Sequence, residues 1–127
     1  MIITLDKKLL IEPLRIVTGV SELKHSLAVL GNVLFKISEG KLLMVCSDLE
    51  VEVSSVISCD VKENLETTIP SRKLLEIVKA LNDEEQIKFN VEETKTTITS
   101  GKSKFVLGTI PAKEFPQTQQ KNEEKQK

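Results

Sequence analysis

A chain of 127 residues, 39% hydrophobic and 29% charged, has single-domain length and enough apolar material for one core. Its net charge of −1 excludes a module that is basic throughout, so any nucleic-acid contact must come from a local patch. With no Trp, no Tyr and only 4 Phe the core must be built from Ile, Leu and Val, and no run of about 18 apolar residues exists to span a membrane.

Met1–Leu5 is β-branched and apolar and predicts a first strand. Asp6 is a good helix N-cap, and Leu9, Leu10, Leu14 and Val17 recur at helical spacing, which predicts an amphipathic helix from Asp6 to Thr18. Pro13 inside it predicts a kink or an interruption, and Gly19 a stop. The opening "MIITLDKKLL" lacks the ordered regions of a signal peptide, so a cytoplasmic protein is expected. Val20–Leu30 fits a short helix or an irregular connection and is read as a loop with one helical turn. The period then changes to two. Val33, Phe35 and Ile37 alternate with Leu34, Lys36 and Ser38, Leu42–Cys46 follows a turn at Ser38–Lys41, and Val51–Ser58 follows another at Ser47–Glu50. These make a three-stranded antiparallel meander.

The second half repeats that order. Leu65–Ile69 predicts a short strand, and Pro70, Ser71 and Arg72 open a second helix. Its apolar stripe is Leu74, Leu75, Ile77, Val78 and Leu81, with Arg72, Lys73, Glu76 and Lys79 toward the other side and "NDEE" (Asn82–Glu85) ending it. Ile87, Phe89 and Val91 alternate with Lys88 and Asn90, Thr94–Ser100 follows, and a turn at Ser100 and Gly101 leads into "KSKFVLGTI". The halves share element order without obvious identity. The expected fold class is α+β, with about eight strands and two helices packed on antiparallel sheets.

Little in the chain points to catalysis, and no catalytic residue, metal site or cofactor is expected. His25 is the only histidine, and nothing in its spacing from Ser26 and Asp48 supports a nucleophilic triad. No phosphate-cradling glycine motif occurs. Asp48 and Glu50 fit turn chemistry better than a metal site. Cys46 and Cys59 sit in apolar stretches and are expected to be buried free thiols.

The basic residues are more informative. Arg72, Lys73 and Lys79 ride on the second helix, Lys7, Lys8 and Arg15 on the first, and Lys24 in the loop after it. Such a pattern fits a solvated helix face, or a face presented to a phosphate backbone without regard to sequence. In the last strand Ser103, Phe105 and Leu107 point toward a core, and Lys102, Lys104 and Val106 away from it. Lysines on an edge strand discourage stray pairing, or equally accept a partner strand with acidic side chains.

Five stretches, "LLIEPL" (Leu9–Leu14), "LGN" (Leu30–Asn32), "SDLEVEV" (Ser47–Val53), "IPSRKLLEI" (Ile69–Ile77) and "SGKSKFVLGTIPAKEFP" (Ser100–Pro116), stand in an order and spacing that resembles the first domain of the bacterial sliding clamp, the beta subunit of DNA polymerase III. The resemblance covers residues 1–116, leaving 117–127 as a polar tail or the start of an interdomain linker. Two residues depart from the pattern: Ala28 stands where the family usually has proline, and Lys24 where it often has arginine, which keeps a point charge but loses bidentate geometry.

The resemblance implies a DNA-clamp fold and a non-enzymatic processivity factor. In that family two protomers of three such domains close head to tail around duplex DNA, with the helices lining the hole. It implies DNA-facing positions at Lys24, Arg72, Lys73 and Lys79. It implies a protomer interface at Lys73, Lys102, Lys104, Phe105 and Leu107, where the third domain of another protomer pairs with the last strand. Polymerase and clamp loader would bind through domains absent here. The alternative is a stand-alone protein-interaction module with this fold that does not bind DNA.

Overall fold

Local sequence and observed elements agree closely in a computed structural model that describes residues 2–19, 28–48, 50–82 and 86–115. The expectations for Lys24, His25 and Ser26 and for the 117–127 tail fall outside the described residues. In chain order the elements are β1 (Ile2–Asp6), α1 (Lys7–Thr18), β2 (Asn32–Ser38), β3 (Lys41–Ser47), β4 (Glu52–Ser58), β5 (Leu65–Pro70), α2 (Ser71–Ala80), β6 (Gln86–Val91), β7 (Lys95–Ser100) and β8 (Ser103–Gly108). The turns form as their residues dictate. Glu39 and Gly40 both take positive φ (54° and 76°) between β2 and β3, and Gly101 takes φ 57° between β7 and β8. The Asp48 carboxylate accepts from the main-chain N–H groups of Glu50 (2.9 Å) and Val51 (2.7 Å), which makes the turn into β4.

The two meanders do not form two separate sheets with their own first strands. The sheets run β1-β6-β7-β8 and β4-β3-β2-β5, all antiparallel, so each half lends its first strand to the other half's sheet. The correspondence of the halves is register for register. Ile2 lies opposite Asn90, and Glu66 opposite Lys36. Phe35 faces Met44 as Phe89 faces Ile98, and Met44 faces Ser55 as Ile98 faces Phe105. Phe35 and Phe89 thus hold equivalent places, and their rings meet with centroids 5.7 Å apart. The core has the aliphatic composition expected, with Leu10, Leu14, Leu74, Val78, Ile37, Ile69 and Ile87 fully buried around that aromatic pair. A smaller cluster of Val29, Leu30, Leu34, Val45, Ala112 and Phe115 seals the other face of the β2–β3 hairpin.

The helices show the same correspondence. Lys7, Leu10 and Leu14 are buried in α1 as Ser71, Leu74 and Val78 are in α2. Lys8, Glu12 and Arg15 are exposed as Arg72, Glu76 and Lys79 are.

Several sequence expectations need correction. Leu9 is 54% exposed, because a residue next to Leu10 is turned about 100° around the helix from the buried stripe. Lys7 is buried, so only Lys8 and Arg15 of the first helix's basic residues face solvent. The helix runs through Pro13 without interruption, held by Leu10, Leu14 and Val17 in the core. Asp6 stands at the N-cap with extended dihedrals, yet its side chain makes no capping bond and instead accepts from the Gln86 amide (3.0 Å). Gly19 does end α1 as expected, in a right-handed conformation (φ −58°). Both cysteines are free, but Cys59 is only half-buried.

Candidate nucleic-acid interface

The exposed stripe of α2 is set by its buried one. Ser71 is fully buried, and its hydroxyl donates to the Gly31 carbonyl (3.0 Å), which fixes the first turn directly after Pro70. Leu74 and Val78 then face the core, so Arg72, Lys73, Glu76 and Lys79 must face out. Three of the sequence-predicted DNA-facing residues, Arg72, Lys73 and Lys79, are therefore brought onto one helix face.

α1 packs beside α2, and Lys7 fixes the pairing. Its Nζ donates to the carbonyl of Leu81 (2.5 Å) and lies 3.4 Å from that of Lys79. The start of α1 thus lies against the end of α2, and the helices run antiparallel. On α1 the outward stripe is Lys8, Leu9, Glu12, Arg15 and Ile16, with Arg15 paired to Glu12. Across both stripes Lys8, Arg15, Arg72, Lys73 and Lys79 outnumber Glu12 and Glu76, although the whole chain carries −1. Charge is therefore segregated, with positive sign concentrated on the two-helix layer.

Beneath α2 the Cys46 thiol is pushed up from 9.0 to about 12 by burial, opposed by its hydrogen bond with Ser71 and by the positive charge of Arg72. Cys46 is thus a neutral, inert packing group that senses Arg72 from below.

Among the described residues β8 pairs only with β7 and β4 only with β3, so each sheet ends on one of these strands. On β8 Phe105 and Leu107 face inward and Lys104 and Val106 outward, with Lys102 exposed in the turn before them. Four of the five predicted interface residues thus share one hairpin, whereas Lys73 stands on the α2 stripe with Arg72 and Lys79. Sequence reasoning missed the β4 edge, where Val56 is 57% exposed as its counterpart Val106 is 56%. It also missed Lys7, because a lysine at the start of an amphipathic helix looks the same in sequence whether it faces water or a neighbouring helix end. Among the described residues no cluster of three or more His, Cys, Asp or Glu is placed to hold a metal, and no helix is long and apolar enough to cross a membrane.

Residues 1–119 match the family model described as DNA polymerase III beta subunit, N-terminal domain. The beta sliding clamp of Pseudomonas aeruginosa is 41% identical over 114 residues, which are 89% of this chain and 31% of that relative. The beta sliding clamp of Vibrio harveyi is 39% identical over 114 residues, 89% of this chain and 79% of that relative. Among solved structures, the Pseudomonas aeruginosa sliding clamp bound to griselimycin shares 38% identity and a TM-score of 0.87, over 92% of this chain and 32% of that one. The Caulobacter crescentus pol III beta keeps a TM-score of 0.86 at 26% identity, again over 92% of this chain and 32% of that one. The chain therefore spans about a third of the length of most of these relatives.

Proposed function

The chain belongs to the family of the DNA polymerase III beta subunit N-terminal domain, and from that premise we propose that it is the first domain of a replicative sliding clamp, a non-enzymatic processivity factor that meets duplex DNA through its helix layer. The observation that carries this reading is charge segregation. An overall acidic chain exposes Arg72, Lys73, Lys79, Lys8 and Arg15 on one pair of antiparallel helices. Exposed cations on long side chains make weak, mobile, sequence-independent phosphate contacts, as a ring sliding along a duplex requires. For Lys24, which lies outside the described residues, the family resemblance alone supports a DNA-facing role. Residues 1–116 form the domain and 117–127 a tail or linker, in a protein of the cytoplasm.

In the same reading the β8 edge, with Lys102, Lys104, Phe105 and Leu107, receives the third domain of another protomer, and Lys73 lies near that boundary. Polymerase and clamp loader act through domains beyond this one. The β8 edge also supports a second reading, a protein-interaction module that leaves DNA alone.

Fluorescence anisotropy of a labelled duplex at low salt separates the two. Clamp-domain binding weakens steeply with added salt, is indifferent to duplex sequence and is lost when Arg72 and Lys79 are reversed to glutamate. Binding that survives those reversals, or none at any salt, removes the first reading.

A further inference from the structure

Among the described residues, the internal repeat identifies a place that one half fills and the other leaves open. Beside the first turn of α1 lies a cleft of ≈ 300 Å³ lined by Thr4, Asp6, Leu9, Ile57, Cys59 and Asp60. By the strand registers, Thr4 corresponds to Thr68, Asp6 to Pro70 and Ile57 to Leu107. The exits from β4 and β8 correspond as well. The Cys59 N–H donates to the Gly40 carbonyl (2.8 Å) as the Thr109 N–H does to that of Thr94 (3.0 Å).

Immediately afterwards the halves diverge. In the second half Ile110 forms an antiparallel bridge with Thr68 on the edge of β5. The Thr68 hydroxyl donates to the Ile110 carbonyl (2.6 Å) and accepts from its N–H (3.2 Å), while the Asn32 amide donates to that hydroxyl (3.0 Å). In the first half the residue in the place of Ile110 is Asp60, which is exposed, and the chain leaves with Val61 buried in the main core. Among the described residues the outer edge of β1 has no strand partner and borders this cleft. Leu9 beside it is 54% exposed where the second half has Lys73, and Ile2 on the same strand is 60% exposed.

We propose that this cleft binds an extended peptide segment of a partner protein, one aliphatic residue followed within a few positions by a cation, added to the β1 edge as Ile110 is added to β5. Three features specify that chemistry. The β1 edge offers main-chain hydrogen bonds of the strand-addition kind. Leu9 and Ile57 offer an apolar wall to the aliphatic side chain. Asp6 and Asp60 at the rim offer carboxylates to the cation and discriminate against acidic segments. The chain's own run Ile110, Pro111, Ala112, Lys113 has this pattern, which makes it the natural probe.

The experiment titrates the blocked peptide GTIPAKE, the sequence of Gly108–Glu114, into the isotopically labelled full chain and follows amide shifts. Saturable shifts are expected at Thr4, Asp6, Leu9, Cys59 and Asp60. A peptide with aspartate for its isoleucine, or glutamate for its lysine, should bind about ten-fold more weakly. Leu9→Lys installs the second half's residue at an exposed position and should weaken binding at least about five-fold, leaving the rest of the spectrum intact. Shifts confined to β5 and residues 110–115 would mean that the peptide displaces the chain's own segment, and shifts confined to β8 would mean that it meets that edge instead. Either result, no shift at all, or unchanged binding by Leu9→Lys overturns the proposal.

Discussion

The ammonium group of Lys7 donates to the Leu81 carbonyl across 74 positions of sequence, joining the first turn of α1 to the end of α2. The last carbonyls of a helix have no partners within it and carry the negative end of its dipole. A buried cation there satisfies both needs at once, and its aliphatic stem packs into the space between the helices. α2 itself has only Lys79 as a basic residue in its last turn, and Lys79 faces solvent.

Lys7→Met is therefore expected to destabilise the fold by about 1–3 kcal/mol, since it keeps the stem but strands partly buried carbonyls. Urea unfolding measures this directly. Lys8→Met, one residue on and exposed, should cost less than about 0.5 kcal/mol. Equal stability of Lys7→Met and the parent would show that water replaces the ammonium without loss.

Phe35 and Phe89 make a second prediction. They occupy equivalent register positions in the two halves and touch where the halves meet, so neither half can lose its ring without exposing the other's. Each change to alanine should cost about 3–5 kcal/mol. The double variant should cost less than the sum, with a coupling of about 0.5–1.5 kcal/mol. Strict additivity in a double-mutant cycle would mean that the rings pack independently. Phe→Leu variants give the same comparison if alanine prevents folding.

That aromatic pair also shows what the sequence could disclose. Alternation at Val33, Phe35 and Ile37 and at Ile87, Phe89 and Val91 disclosed both meanders, because a strand's core-facing side writes its period into the chain, although β2 also buries Leu34 on its other face. The stripe at Arg72, Lys73 and Lys79 was legible for the same reason. The exchange of β1 and β5 between sheets was not. Which strand pairs with a short apolar segment depends on residues far away in sequence, and "IITLD" fits either sheet equally well. The repeat was legible as element order but not residue by residue, because its equivalent residues keep only inward or outward sense. Pro13 stands in the place of Ile77 and Leu9 in that of Lys73. The role of Lys7 was hidden because helix-end carbonyls appear only once two helices are placed side by side.

The two thiols should behave oppositely. Cys46 is fully buried with its pKa at about 12, whereas Cys59 is half-buried beside an open cleft. Under native conditions one equivalent of a small disulfide reagent should react, at Cys59, and the second only on unfolding. Because folding raises the Cys46 pKa above its unfolded value of 9.0, the folded state holds the proton that the unfolded state loses. This contribution is fully present below pH 9. It is lost between pH 9 and 12 with a slope of up to about 1.4 kcal/mol per pH unit. Cys46→Ala should flatten the parent's stability-versus-pH curve in that window, and identical curves would disprove the assignment.

The repeat makes the last prediction sharper than charge alone. Lys8 and Arg15 occupy the positions on α1 that Arg72 and Lys79 occupy on α2, each pair with a glutamate between its members. If the helix layer meets a duplex, Lys8→Glu should weaken binding as much as Arg72→Glu does. Each should lower the slope of log K against log salt by about 0.9 for every phosphate that is no longer neutralised. Glu76→Gln should act in the opposite direction and tighten binding at every salt concentration. Lys102→Glu, in the turn before β8, should leave the slope unchanged, and so should Lys7→Met, whose charge is spent inside the fold on α2. A drop in slope with Lys102→Glu and none with Lys8→Glu would move the interface from the helices to the sheet edge. The same variants would then be expected to track binding of a protein strand rather than DNA.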